Sequence, residues 1–119
     1  MTKQEELPQK IQELQAFEQN LQSLILQKQT LQVELNEIMN ALEEISKSSG
    51  EVYKILAGVM LKSSPLGLKK ELEEKKKIIS LRVSSIERQE SLLQKKSSEL
   101  REDISNIMST ESKGKDKKN

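Results

Sequence analysis

The chain's 119 residues suffice for one domain, but 34% of them are hydrophobic, 2% aromatic and 33% charged, which points away from a compact core and toward long solvated helices. A net charge of +1 supplies no field that would draw nucleic acid or an anionic membrane, and the absence of Cys and His removes disulfides, thiolate chemistry and the commonest general base. No stretch approaches the roughly 20 apolar residues that span a bilayer, and Met1 to Pro8 is polar and acidic, so the chain reads as soluble, unprocessed and cytoplasmic, with no cofactor and no metal site.

From Leu7 the apolar residues keep a seven-residue register. One seam position holds Leu7, Leu14, Leu21, Lys28, Leu35 and Leu42, and the other, three residues later each time, holds Lys10, Phe17, Leu24, Leu31, Ile38 and Ile45. Ten of these twelve positions are apolar, a pattern that lets one helix bury a stripe against another. Pro8 stands where a first helical turn tolerates it, and Ser48, Ser49 and Gly50 break the pattern, so a helix is expected over about 8–47.

Glu51 to Lys62 differs in kind: it is β-branched, aromatic and apolar, has Gly58 near its middle and has lost the heptad. It reads as two short strands around a turn near Ala57 and Gly58. That turn would set Leu56 opposite Val59 and Lys54 opposite Leu61 on one face, with Ile55 opposite Met60 on the other. Both faces are then largely apolar, and a lone hairpin is marginal in water, so the strands are expected to continue into a sheet supplied by other chains.

Ser64 reads as an N-cap and Pro65 as the first residue of a second helix, expected over about 65–109. Its main stripe is Leu72, Ile79, Ile86, Leu93, Leu100 and Ile107. The second seam position, taken from Leu68, passes through Lys75, Arg82, Gln89, Lys96 and Asp103, with Val83 and Ile104 as partial cover, so a looser coil is expected. Residues 111–119 are polar and Lys-rich and read as a disordered tail. Helices of about 40 and 43 residues, roughly 60 and 65 Å long, should fold back antiparallel and place the hairpin at one end and both termini at the other. The expected fold is therefore mainly α, a long antiparallel two-helix coiled coil over residues 1–110 with one β-hairpin at its bend.

Taken in this order, helix, Val52-Tyr-Lys, Gly58 and a short apolar strand, then a helix carrying Ile86-Glu-Arg-Gln-Glu90, the chain resembles the β-type subunits of prefoldin. The likeness covers almost the whole chain, and its most specific parts are Glu51 to Lys62 and Leu81 to Lys96. A single β-like segment fits the one-hairpin, β-type class. The resemblance implies a hexamer of two α-type and four β-type subunits whose hairpins join into a platform. It further implies ATP-independent capture of unfolded polypeptides at the coiled-coil tips and their delivery to a group II chaperonin. Gly67, in the first turn of the second helix, and Ser63-Ser-Pro-Leu-Gly67, less acidic than the family leads one to expect, are departures at the hairpin exit.

Under that resemblance two sets of residues become candidates. Leu7, Ile11, Leu14 and Phe17 would face Leu100, Ile104, Ile107 and Met108 at the end where the termini meet. For the seam members, closure of the coil and contact with client stand as alternatives, and Phe17 reads as core. Ile11 and Met108 lie just beside the seam and widen the apolar surface, and with Ile104 they read as client contacts. Val52, Tyr53, Ile55, Leu56, Gly58, Val59, Met60 and Leu61 form the assembly hairpin, because two short strands cannot bury both apolar faces alone.

Other features have plainer readings. Lys10 and Lys28 extend their stems along the seam and keep their amines in water. Glu43 with Glu44, and Glu73 with Glu74, lie on lysine-dense helix faces and read as solvated rather than catalytic. Lys113, Lys115, Lys117 and Lys118 are diluted by Glu111 and Asp116 and read as solubilising. No phosphate loop or nucleophile constellation suggests an enzyme. The rival function is a structural or adaptor coiled coil without affinity for unfolded chains, which would have no need of an apolar hairpin at its bend.

Overall fold

The computed structural model describes residues 2–47, 52–56 and 59–116. The element order is α1 (Lys3–Lys47), β1 (Val52–Leu56), β2 (Val59–Ser63) and α2 (Pro65–Asp116).

Helix α1 begins earlier than Pro8 suggests. Thr2 Oγ1 accepts the Glu5 N–H at 3.2 Å and the Glu5 carboxylate accepts the Thr2 N–H at 3.3 Å, a reciprocal capping box, and the Glu5 N–H also donates to the Thr2 carbonyl at 3.1 Å. Pro8 then falls inside the helix, close enough to its start that the disruption is local. Acidic Glu5 and Glu6 in the first turn and Lys47 in the last complement the helix dipole, and Lys47 also pairs with Glu43 at 3.1 Å.

The strands pair antiparallel with Val52 opposite Ser63, Tyr53 opposite Lys62, Lys54 opposite Leu61, Ile55 opposite Met60 and Leu56 opposite Val59, the register expected from the sequence. The turn residues Ala57 and Gly58 lie outside the described residues. Ser64 Oγ accepts the Gly67 N–H at 3.0 Å and Pro65 opens α2, as a cap followed by a proline leads one to expect. A Cβ on Gly67 would stand 2.7 Å from that hydroxyl, so the glycine makes room for the cap. Helix α2 continues to Asp116, well past residue 109 and through most of the segment expected to be disordered. Single glycines such as Gly114 weaken a helix by only about 1 kcal/mol.

The chain divides into two units, one of residues 27–86 carrying the hairpin, the other of residues 1–26 and 87–119 carrying both chain ends. In the hairpin unit the core is Ile38, Ile79 and Val83, with Leu31, Leu35, Leu42 and Leu72 packed against it. In the chain-end unit Leu100 and Ile107 are buried, and Lys10 lies against Asp103 while Phe17 shares a groove with Lys96 and Leu100, the order of an antiparallel pair.

All twelve α1 seam positions are buried or half-buried. The second seam of α2 is not the one read from sequence. Lys75, Arg82, Gln89, Lys96 and Asp103 are exposed, whereas Val83, Glu90 and Ser97 are buried and Ile104 half-buried. Both sets keep seven-residue spacing from the Ile79–Ile107 stripe. The helix turns the second inward because it buries Val83 and Ile104 and leaves the long charged side chains in water. Glu90 and Ser97 are carried into the seam with it. Ser97, only 2% exposed, is the most buried residue described, and its hydroxyl has no hydrogen-bond partner there.

Candidate functional site

In the hairpin unit, Lys54 fixes which face of the hairpin turns toward α2. Its Nζ donates to both carboxylate oxygens of Glu71, at 2.8 and 3.0 Å. These hydrogen bonds, with the charges of Lys54 and Lys75, hold the Glu71 carboxyl below its ordinary pKa of 4.5. Tyr53 and Met60 stand on the alternate positions of the two strands and are 54% and 63% exposed. Ile55 shares their register face, paired with Met60. For Val52, Ile55, Leu56, Val59 and Leu61 the strand pairing is what is described, and Gly58 lies outside the described residues. Nothing in the sequence pattern marks the Lys54–Glu71 tie, since the two residues are 17 apart and each is one of many charges.

Among the described residues the sheet has two strands, so each strand has one edge that faces no further strand. Such edges, joined to an exposed apolar face, are a template for pairing with further strands.

In the chain-end unit the eight tip candidates divide by exposure. Leu100 and Ile107 are buried, and Leu7, Leu14, Phe17 and Ile104 half-buried, so these six close the coil. Ile11 and Met108 are 39% and 56% exposed. Ionic contacts tie the helices here: Arg101 Nη2 to Glu18 Oε1 at 2.7 Å and Lys10 Nζ to Asp103 Oδ2 at 3.5 Å. Lys10, a seam residue, therefore runs its stem along the coil and ends on a carboxylate. A shallow groove in the hairpin unit, lined by Gln27, Thr30, Leu31, Arg82, Ser85 and Ile86, holds no carboxylate, and its hydroxyls are those of Thr30 and Ser85. Among the described residues no cluster of His, Cys, Asp and Glu could hold a metal ion, and no helix is long and apolar enough to cross a membrane.

Comparison with known proteins agrees with this arrangement. The chain is similar to the crystal structure of the prefoldin beta subunit from Thermococcus strain KS-1, with a TM-score of 0.80 and 32% identity over 86% of this chain and 91% of that one. It is 38% identical over 60 residues to prefoldin subunit beta of Methanococcus maripaludis and 37% identical over 61 residues to that of Methanococcus vannielii. These matches take in 50% and 51% of this chain and span about half the length of the relatives, 53% and 54%. The family described as prefoldin subunit matches residues 8–111. A capped heptad helix, an apolar hairpin and a returning heptad helix are thus those of a known lineage: the chain belongs to the prefoldin subunit family.

Proposed function

We propose that the chain is the β-type subunit of an ATP-independent holdase. Its hairpin pairs with those of other prefoldin subunits, in a hexamer of two α-type and four β-type chains. The chain-end units capture unfolded polypeptides, and the complex passes them to a group II chaperonin in the cytoplasm. Neither surface performs chemistry, and the mechanism is multivalent weak binding in which several apolar ends on one platform raise effective concentration.

The observation that carries this reading is the pairing, in one chain, of an edge-exposed hairpin bearing Tyr53 and Met60 with heptad helix ends that leave Ile11 and Met108 uncovered. A coil that merely spaces other proteins needs neither. In the assembled complex, replacing the exposed pair Ile11 and Met108 by Ser should leave the assembly's mass unchanged and weaken suppression of client aggregation. Full suppression by that variant would remove the tips from the mechanism.

A further inference from the structure

The tip candidates treat the end of the coil as apolar all round. The heptad and the ionic contacts show that its two edges differ. In an antiparallel pair, residues just after the Lys10–Ile45 seam of α1 and just after the Leu72–Ile107 stripe of α2 line one edge, and those just before the other seam of each helix line the other. Glu18 and Arg101 occupy the first edge and meet at 2.7 Å. One heptad nearer the chain ends the same register sets Ile11 opposite Met108, and one heptad the other way it sets Ile25, also exposed, opposite Gln94. Along α2 this edge is flanked by exposed short side chains at seven-residue spacing, Ser91, Ser98 and Ser105, which stand too low to cover it.

The other edge is charged. Glu13, Lys96, Glu99 and Asp103 surround the groove over Phe17 and Leu100, and Lys3, Glu6 and Lys10 gather with Asp103 in the groove nearer the ends. Of the unit's remaining exposed large apolar residues, Leu26 stands on the outer face and Leu92 stands singly beside the charged edge, at the heptad position of Glu99 and Asn106.

We infer that client is held along one edge only, the strip from Met108 and Ile11 past the Glu18–Arg101 pair to Ile25. The inference rests on the holdase reading and narrows it. Two helical heptads separate Ile11 from Ile25, roughly 21 Å at 1.5 Å per residue. At about 3.3 Å per residue that is the span of some six residues of extended chain. The pair midway balances its own charges, so the strip carries two apolar ends and a polar middle of no net charge. It fits an extended unfolded segment with apolar side chains about six residues apart, and the flexible thioether of Met108 lets the outer end take many shapes. The charged edge stays hydrated.

Neighbouring residues test this. Ser105 stands beside the strip and Asn106 beside the charged edge, both exposed. In complexes of this chain with an α-type prefoldin subunit, confirmed to keep wild-type mass and helicity, the concentration needed to halve aggregation of guanidinium-denatured rhodanese is measured. Ser105→Lys and Ile25→Ser should each raise it about fivefold, the loss of one weak contact among several, while Asn106→Lys leaves it within about twofold. Equal effects of the two lysines, or none from Ile25→Ser, would overturn the one-edge inference and leave the holdase reading standing. Failure of the unmodified complex to suppress aggregation would overturn both.

Discussion

Replacing Val83 by Ala, and separately Arg82 by Ala, distinguishes the two seams that α2 could present. Val83 is 9% exposed and belongs to the cluster with Ile38 and Ile79, whereas Arg82 is exposed. Val→Ala removes two methyl groups at about 0.8 kcal/mol each, so Val83→Ala should cost about 1.6 kcal/mol, with a small further penalty because a two-helix core is open at its sides and can partly collapse. Arg82→Ala should change stability by less than about 0.5 kcal/mol, since alanine is at least as good a helix former and no core contact is lost. Urea unfolding followed by circular dichroism at 222 nm, at one fixed protein concentration, reads the difference. With a slope near 2 kcal/mol/M the Val83 variant's midpoint should fall by about 0.8 M and the Arg82 variant's hardly move. Equal shifts, or a larger one for Arg82→Ala, would refute the seam through Val83, Glu90, Ser97 and Ile104.

The remaining predictions address single features. Ser97→Ala should raise stability by about 1 kcal/mol in the same assay, because it removes a buried hydroxyl with no partner and adds helix propensity; a loss would show that the hydroxyl is satisfied. The Glu71 carboxyl is held below 4.5 by Lys54, so their tie is present at neutral pH and is lost as pH falls through that depressed value. An NMR titration of Glu71 should therefore give a midpoint below 4.5 that returns toward it in Lys54→Met, and an unchanged midpoint in the variant would remove Lys54 as the cause. Met60→Asp puts a charge on the exposed hairpin face and should abolish assembly with an α-type subunit, as read by light scattering, while each chain stays helical.

How much could be seen in the sequence depended on how many residues voted for each element. In α1 ten of twelve seam positions are apolar, and the structure keeps all twelve inward, including Lys10 and Lys28. The hairpin register was legible because Lys54 and Gly58 leave one pairing that matches apolar residues across both strands, and that pairing is the one found. In α2 one stripe was unambiguous. The other hung on Val83 and Ile104 alone, since its remaining members, Glu90 and Ser97, are types that ordinarily face water, and seven-residue spacing counted from Leu68 led through a charged set instead. The start of α1 was missed for the opposite reason. Pro8 is a loud signal, while the Thr2-x-x-Glu5 capping box is a quiet one, and the reciprocal hydrogen bonds decided it.

At the candidate surfaces, types and positions were legible and accessibility was not. The sequence grouped Leu100, Ile107, Ile11 and Met108 as apolar residues near the chain ends. Only packing separates the first two, spent on the seam, from the last two, left in solvent. The asymmetry of the edges needed the register supplied by the Arg101–Glu18 contact.

The most direct test of the account is the solution mass, by light scattering, of this chain mixed with an α-type prefoldin subunit. The expected result is one particle of six chains, two α-type and four of this one. Two-chain species, or no complex, would contradict it and leave a coiled coil whose hairpin is not an assembly surface.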